Sequence, residues 1–76
     1  MVNEPLYPDV EVKLLGEDGN AFGIIGRCRR AIRNAARKGV LPKGMAATIS
    51  EEFTKEATEG DYDHLLQTVM KYFTVY

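Results

Sequence analysis

From Asn20 to Gly44 the chain carries seven basic residues, Arg27, Arg29, Arg30, Arg33, Arg37, Lys38 and Lys43, and no acidic one. The same stretch has helical periodicity, and together these two properties restrict the fold more than anything else in the sequence. At ~100° per residue, Ile25, Cys28, Ile32, Ala35 and Ala36 fall on one face, with Phe22 and Ile24 at its margins. Arg27, Arg30, Arg33, Arg37 and Lys38 fall on the opposite face, and Arg29 lies nearer the apolar boundary, where its stem can cover core atoms. Asn20 suits the N-cap and Gly39 the position after the last turn, so a helix is predicted over 20–38. Gly23 and Gly26 fall on the polar side near its start, each at a cost of ~1 kcal/mol relative to alanine. Without Cβ atoms, that side leaves room for a phosphate or another backbone near the positive end of the helix dipole.

The flanking segments carry the opposite charge. Residues 1–19 set Lys13 against five acids and residues 45–76 set Lys55 and Lys71 against six, so the whole chain has a net charge of −1. The basic face either meets a polyanion or is neutralised by its own chain in surface pairs of little individual worth. The pI of 5.7 and the lack of aromatic residues for base stacking on that face weigh against nucleic acid.

With 76 residues the chain makes one domain over 1–76. A core this small supplies about 3–5 kcal/mol of net stability. Cys28 is the one cysteine and His64 the one histidine, so neither an internal disulfide nor a four-ligand zinc site is available. A lone cysteine fits a reducing cytoplasm. The N-terminus lacks the pattern of a signal peptide, and no run of apolar residues is long enough for a membrane span. The expectation is a cytoplasmic protein with no cofactor and no membrane partner.

Residues 1–8, with Pro5 and Pro8, read as a loose lead-in. Val10 to Leu14 alternates apolar and polar, predicting a strand with Val10, Val12 and Leu14 inward and a turn at Asp18-Gly19. A second helix is predicted near Ser50–Glu59, capped by Thr48 with Glu51 or by Ser50, with Ile49, Phe53 and Ala57 as its apolar stripe and Gly60 at its end. Asp61 can cap a third helix that buries Tyr62, Leu65, Leu66, Val69 and Met70. From Tyr72 the sequence is aromatic and β-branched, a closing strand with Phe73 and Val75 on one side. The fold expected is α+β in the order β-α-α-α-β, a two-stranded sheet packed against a long amphipathic helix. Two strands leave two open edges, which favours a partner strand or a homodimer.

Three motifs carry chemistry on paper. Gly16-Glu17-Asp18-Gly19 has the outline of a backbone-cradling loop, but its two acids repel phosphate and it follows a strand. Asp61, Asp63 and His64 are the densest set of acid–base or metal-binding groups, although helix capping and dipole complementation explain them more simply. Cys28, at the middle of an apolar face, reads as a buried thiol rather than a nucleophile.

Two stretches, Val12 to Phe22 and Glu56 to Met70, resemble a group of small uncharacterised bacterial and phage proteins. The resemblance covers most of the chain and brings no activity or fold with it. It implies an intracellular accessory protein of mobile-element origin. It also directs attention to the turns before the first and last helices, where Asn20, Asp61, Asp63 and His64 would share a polar pocket if the turns meet. The function expected is a non-enzymatic interaction module that binds a protein or itself, through Gly23, Gly26 and the cations of 20–38. A nucleic-acid accessory protein is the second reading. A small metal-binding or enzymatic site around Asp61, Asp63 and His64 is the third.

Overall fold

The computed structural model describes residues 4–17, 19–42 and 44–76. Strand β1 (Tyr7–Val12) leads into helices α1 (Ala21–Arg37), α2 (Ala46–Ala57) and α3 (Tyr62–Tyr72), and strand β2 (Phe73–Val75) follows α3 directly. The predicted order of elements is the observed one. The two strands pair in parallel, with Tyr7 opposite Phe73, Glu11 opposite Thr74 and Val12 opposite Val75. Parallel pairing needs a long crossover, and the three helices provide it. The Cα radius of gyration is 11.6 Å, against about 11.4 Å for one compact unit of this length.

β1 begins earlier than the alternation suggests, taking in Tyr7 and Pro8, and the Leu6 N–H donates to the Lys71 carbonyl at 3.0 Å. The register slips between Tyr7 and Glu11, where Pro8 has no N–H to give. Thr74 Oγ1 donates to the Pro8 carbonyl at 2.8 Å and bridges that gap. Val10 and Val12 are buried as expected, whereas Leu14 lies past the strand and is half-buried. The reversal that follows is made at Gly16, whose φ of +77° suits the third place of a turn closed by the Glu17 N–H on the Leu14 carbonyl. Of the predicted Asp18-Gly19 turn, Asp18 lies outside the described residues, as does Lys43 of the basic block.

α1 is capped at both ends as its sequence indicates. The Asn20 side chain accepts from the Phe22 N–H at 2.8 Å. Beyond Lys38, Gly39 at φ +82° lets its own N–H reach the Ala36 carbonyl and that of Val40 reach Ala35, a Schellman closure. The buried stripe is Ile24, Cys28, Ile32 and Ala35. Ile24 thus takes the central place expected for Ile25, which is half-buried, and Phe22 is 86 % exposed. Periodicity cannot choose between adjacent isoleucines, because the choice depends on where the sheet and α2 press on the helix.

α2 starts at Ala46, four residues before the predicted Ser50, and its cap residue Met45 makes no side-chain bond. Thr48 therefore sits inside the helix and forms no capping box. The Met45 N–H already bonds the Pro42 carbonyl at 3.1 Å around Gly44 at φ +83°, so the turn sets the entry. Ala46 and Ala47 then favour helix at once. Ile49, Phe53 and Ala57 are all buried, as their spacing predicts.

α3 is capped by Asp61, which accepts from the His64 N–H at 2.9 Å. Its buried residues are Leu65, Thr68, Val69 and Tyr72. Tyr62 and Met70, expected inside, are exposed, and Leu66 is half-buried. The apolar arc of α3 is wider than the strip the core covers, and buried Thr68 is tolerated because its hydroxyl donates to the His64 carbonyl at 2.7 Å. Tyr72 ends the helix rather than starting the strand. Its ring joins Phe53 and Phe73 in an aromatic cluster with centroids 5.1–5.7 Å apart.

Candidate functional site

The helix α1 meets the rest of the molecule along one stripe and leaves one flank beside β1. There the two elements enclose a cleft of about 540 Å³. Its helical wall carries Arg27, Arg30, Asn34 and Lys38, spaced three or four residues apart so that they share one side of the helix. Ala31 and Ala35 are too short to fill the space beneath them, and Val40 also lines it. The facing wall carries Asp9 and Glu11 of β1 and Lys13 just beyond it, and Tyr76 borders the same cleft. Tyr76 is held there through its backbone: its N–H donates to the Val12 carbonyl, and its carbonyl accepts from Leu14 and Leu15.

These bonds also define which way the β1 backbone faces. The Val12 carbonyl and the Leu14 N–H both face the Tyr76 backbone, on the β2 side. Peptide groups alternate along extended chain, so those of Glu11 and Lys13 face away from β2, on the edge that no strand covers among the described residues. The cleft is thus an open sheet edge beside a cationic helix flank.

The cations differ in their surroundings. Arg29, Arg30, Arg33 and Lys38 are exposed, and among the described residues no carboxylate is within ion-pairing distance of them. Arg37 donates to the Asn34 side chain at 2.9 Å. Arg33 and Arg37 lie outside the cleft lining, as do Gly23 and Gly26. Gly23 is half-buried, whereas Gly26 is exposed and a Cβ built on it meets nothing within 4 Å. A smaller hollow of about 330 Å³ lies between α1 and α2, beside Arg29, Glu51 and Lys55.

The second predicted site behaves differently. The turns before α1 and α3 do come together, since the Tyr62 hydroxyl donates to the Gly19 carbonyl. Their polar side chains, however, are turned to their own backbone. Asn20 caps α1 and Asp61 caps α3. His64 Nε2 lies 2.8 Å from the Glu56 carbonyl, which can only accept, so that nitrogen carries the proton. Asp63 is exposed in the first turn of α3. Among the described residues no three His, Cys, Asp or Glu side chains are grouped as metal ligands.

Glu56 and Tyr72 on this side are also paired. Glu56 accepts from Lys71 Nζ at 2.7 Å and from the Tyr72 hydroxyl at 3.1 Å. The bond from Lys71, ahead of that from Tyr72, holds the Glu56 carboxyl below its usual range. Burial, and then the bond to Glu56, pushes the Tyr72 phenol up to about 12. Burial likewise pushes the Cys28 thiol up to about 12, even with Arg27 nearby, which leaves it a packing residue rather than a nucleophile.

Of the cations expected to form a surface, Arg27, Arg30 and Lys38 line the cleft and Arg33 and Arg37 do not, and the other wall was not expected. Asp9, Glu11, Lys13, Val40 and Tyr76 join the site through contacts distant in sequence. The one local hint was the strand alternation, which leaves Glu11 and Lys13 on the exposed side of β1. No described helix is long and apolar enough to cross a membrane. No family model matches the chain, and no match to a curated protein or to a solved structure is found.

Proposed function

We propose that this protein is a cytoplasmic, non-enzymatic interaction module that binds a protein partner in the cleft between β1 and α1. The observation that carries the reading is the pairing of a strand edge with exposed cations, Arg30 and Lys38, where among the described residues no strand covers the edge and no carboxylate lies at contact distance of these cations. An open edge offers backbone hydrogen bonds to an incoming chain, and the flanking charges select which chain. Asp61 and His64 of the other cluster are engaged in the α3 cap and the α2–α3 contact, and among the described residues no three ligand side chains are grouped, which weighs against the metal-binding and enzymatic readings.

A displayed library of random peptides, selected on the folded domain, tests the proposal. Enriched peptides that lose binding to an Arg30→Glu variant are the expected result. A library that yields no enriched sequence, or only sequences indifferent to Arg30→Glu, overturns it.

Nucleic acid is the second reading, and the exposed Arg29, Arg30, Arg33 and Arg37 favour it. Titration of labelled DNA and RNA at two salt concentrations decides it. Phosphate contacts give a steep loss of affinity with salt, and no binding at low salt eliminates this reading.

A further inference from the structure

We infer that the partner enters the cleft as an extended strand with acidic side chains at every second position; this rests on the cleft being the binding surface.

The backbone edge sets the first requirement. Glu11 and Lys13 point their peptide groups away from β2, so a guest can continue the sheet as a third strand only if its own backbone is extended. The side chains of such a guest alternate between the two faces of the enlarged sheet. Those on the face of Val10 and Val12 point toward α1, where Arg30 and Lys38 stand over the short Ala31 and Ala35. Acidic side chains of moderate length fill that space and meet those cations. Their neighbours on the other face lie beside the Asp9 and Glu11 carboxylates, which repel another acid and outnumber the single cation, Lys13, in that row. Charge complementarity on the two walls therefore asks for an alternating pattern, acid then neutral or basic, rather than for negative charge in general.

The same charges argue against a second copy at this edge. Pairing β1 with the β1 of another copy would bring the two α1 helices side by side beneath the joined sheet. Each would present the exposed Arg30 and Lys38 to its twin across the seam. Like charges opposed at an interface cost affinity and act against that pairing. A guest strand that brings no helix avoids the conflict.

Fluorescence anisotropy with three labelled synthetic peptides tests this on the whole chain. The first alternates glutamate with threonine or valine. The second has the same composition with its glutamates in one block. The third is the first with N-methyl groups on the backbone amides of one edge. The first should bind, the second should bind about tenfold more weakly, and the third should not bind. Amide hydrogen exchange should slow at Glu11 and Lys13 when the first peptide is added. Equal binding of the first two peptides, or no slowing at those amides, overturns the strand inference while leaving the broader reading to the library selection. If a labelled single-stranded DNA of equal charge binds as tightly as the first peptide, the site is a phosphate surface and both fail.

Discussion

The α2–α3 side of this molecule and the α1–β1 side contain similar residues put to different uses. On the first, Glu56 is tied to Lys71 and Tyr72, His64 to the Glu56 carbonyl, Asp61 to the α3 backbone and Thr68 to the turn before it. On the second, Arg30 and Lys38 stand over an uncovered strand edge with no carboxylate at pairing distance among the described residues. In a chain with few groups to spend, polar residues that hold the fold are satisfied internally. Those left unsatisfied and adjacent to an open edge are available to another molecule. Asp61, Asp63 and His64 are the densest acid–base set in the sequence, and capping already explained them more simply than catalysis. The proposed binding face is the other side, because pairing rather than density decides what is free to act.

The sharpest way to separate the two sides is to damage the closed one. Phe53→Ala removes a fully buried ring that packs 5.1 Å from Phe73 and 5.5 Å from Tyr72. The expected loss of about 3–5 kcal/mol matches the whole margin of a domain this size, so urea titration should find the variant largely unfolded. Gly60→Ala should come next. A Cβ there would lie 2.9 Å from His64 Cβ and Cγ, and the His64 ring is held by its bond to Glu56. The resulting overpacking should cost about 1–3 kcal/mol in the same assay.

Glu56 gives a smaller effect with a defined pH dependence. Its carboxyl is held below the unfolded value, so its contribution is present above that value and disappears as the pH falls through the folded one. Melting temperature should therefore drop on acidification below about 4.5, and Glu56→Gln should remove this component of the drop. Because the Lys71–Glu56 pair is partly solvated, the variant should lose only about 1 kcal/mol or less at neutral pH. Gly26→Ala probes the open side and should act in the other direction. Nothing near Gly26 requires glycine, so alanine should stabilise α1 by up to about 1 kcal/mol. Since Gly26 lies outside the cleft lining, peptide binding should not change.

Local chemistry explains which parts of this structure were legible in the sequence. The caps at Asn20 and Asp61, the closure at Gly39 and the stripe Ile49-Phe53-Ala57 are settled by neighbours within one or two turns. The features that were misread depend on distant contacts. Which of Ile24 and Ile25 is central, and how far α3 is rotated to bury Tyr72 rather than Met70, follow from the placement of the sheet. The early start of α2 reflects the turn at Gly44 rather than the cap-like Thr48. The cleft was the least legible feature, because residues 9–13 meet residues 27–40 only once the strands have paired in parallel.

The cations beside β1 are proposed to serve binding and not folding. An Arg30→Gln, Lys38→Gln double variant tests it by measuring unfolding free energy and alternating-peptide binding on the same sample. Stability within about 0.5 kcal/mol of the parent is expected, together with loss of binding. A stability loss above about 1.5 kcal/mol, as expected when partners of a structural charge are broken, would contradict it, as would unchanged peptide affinity.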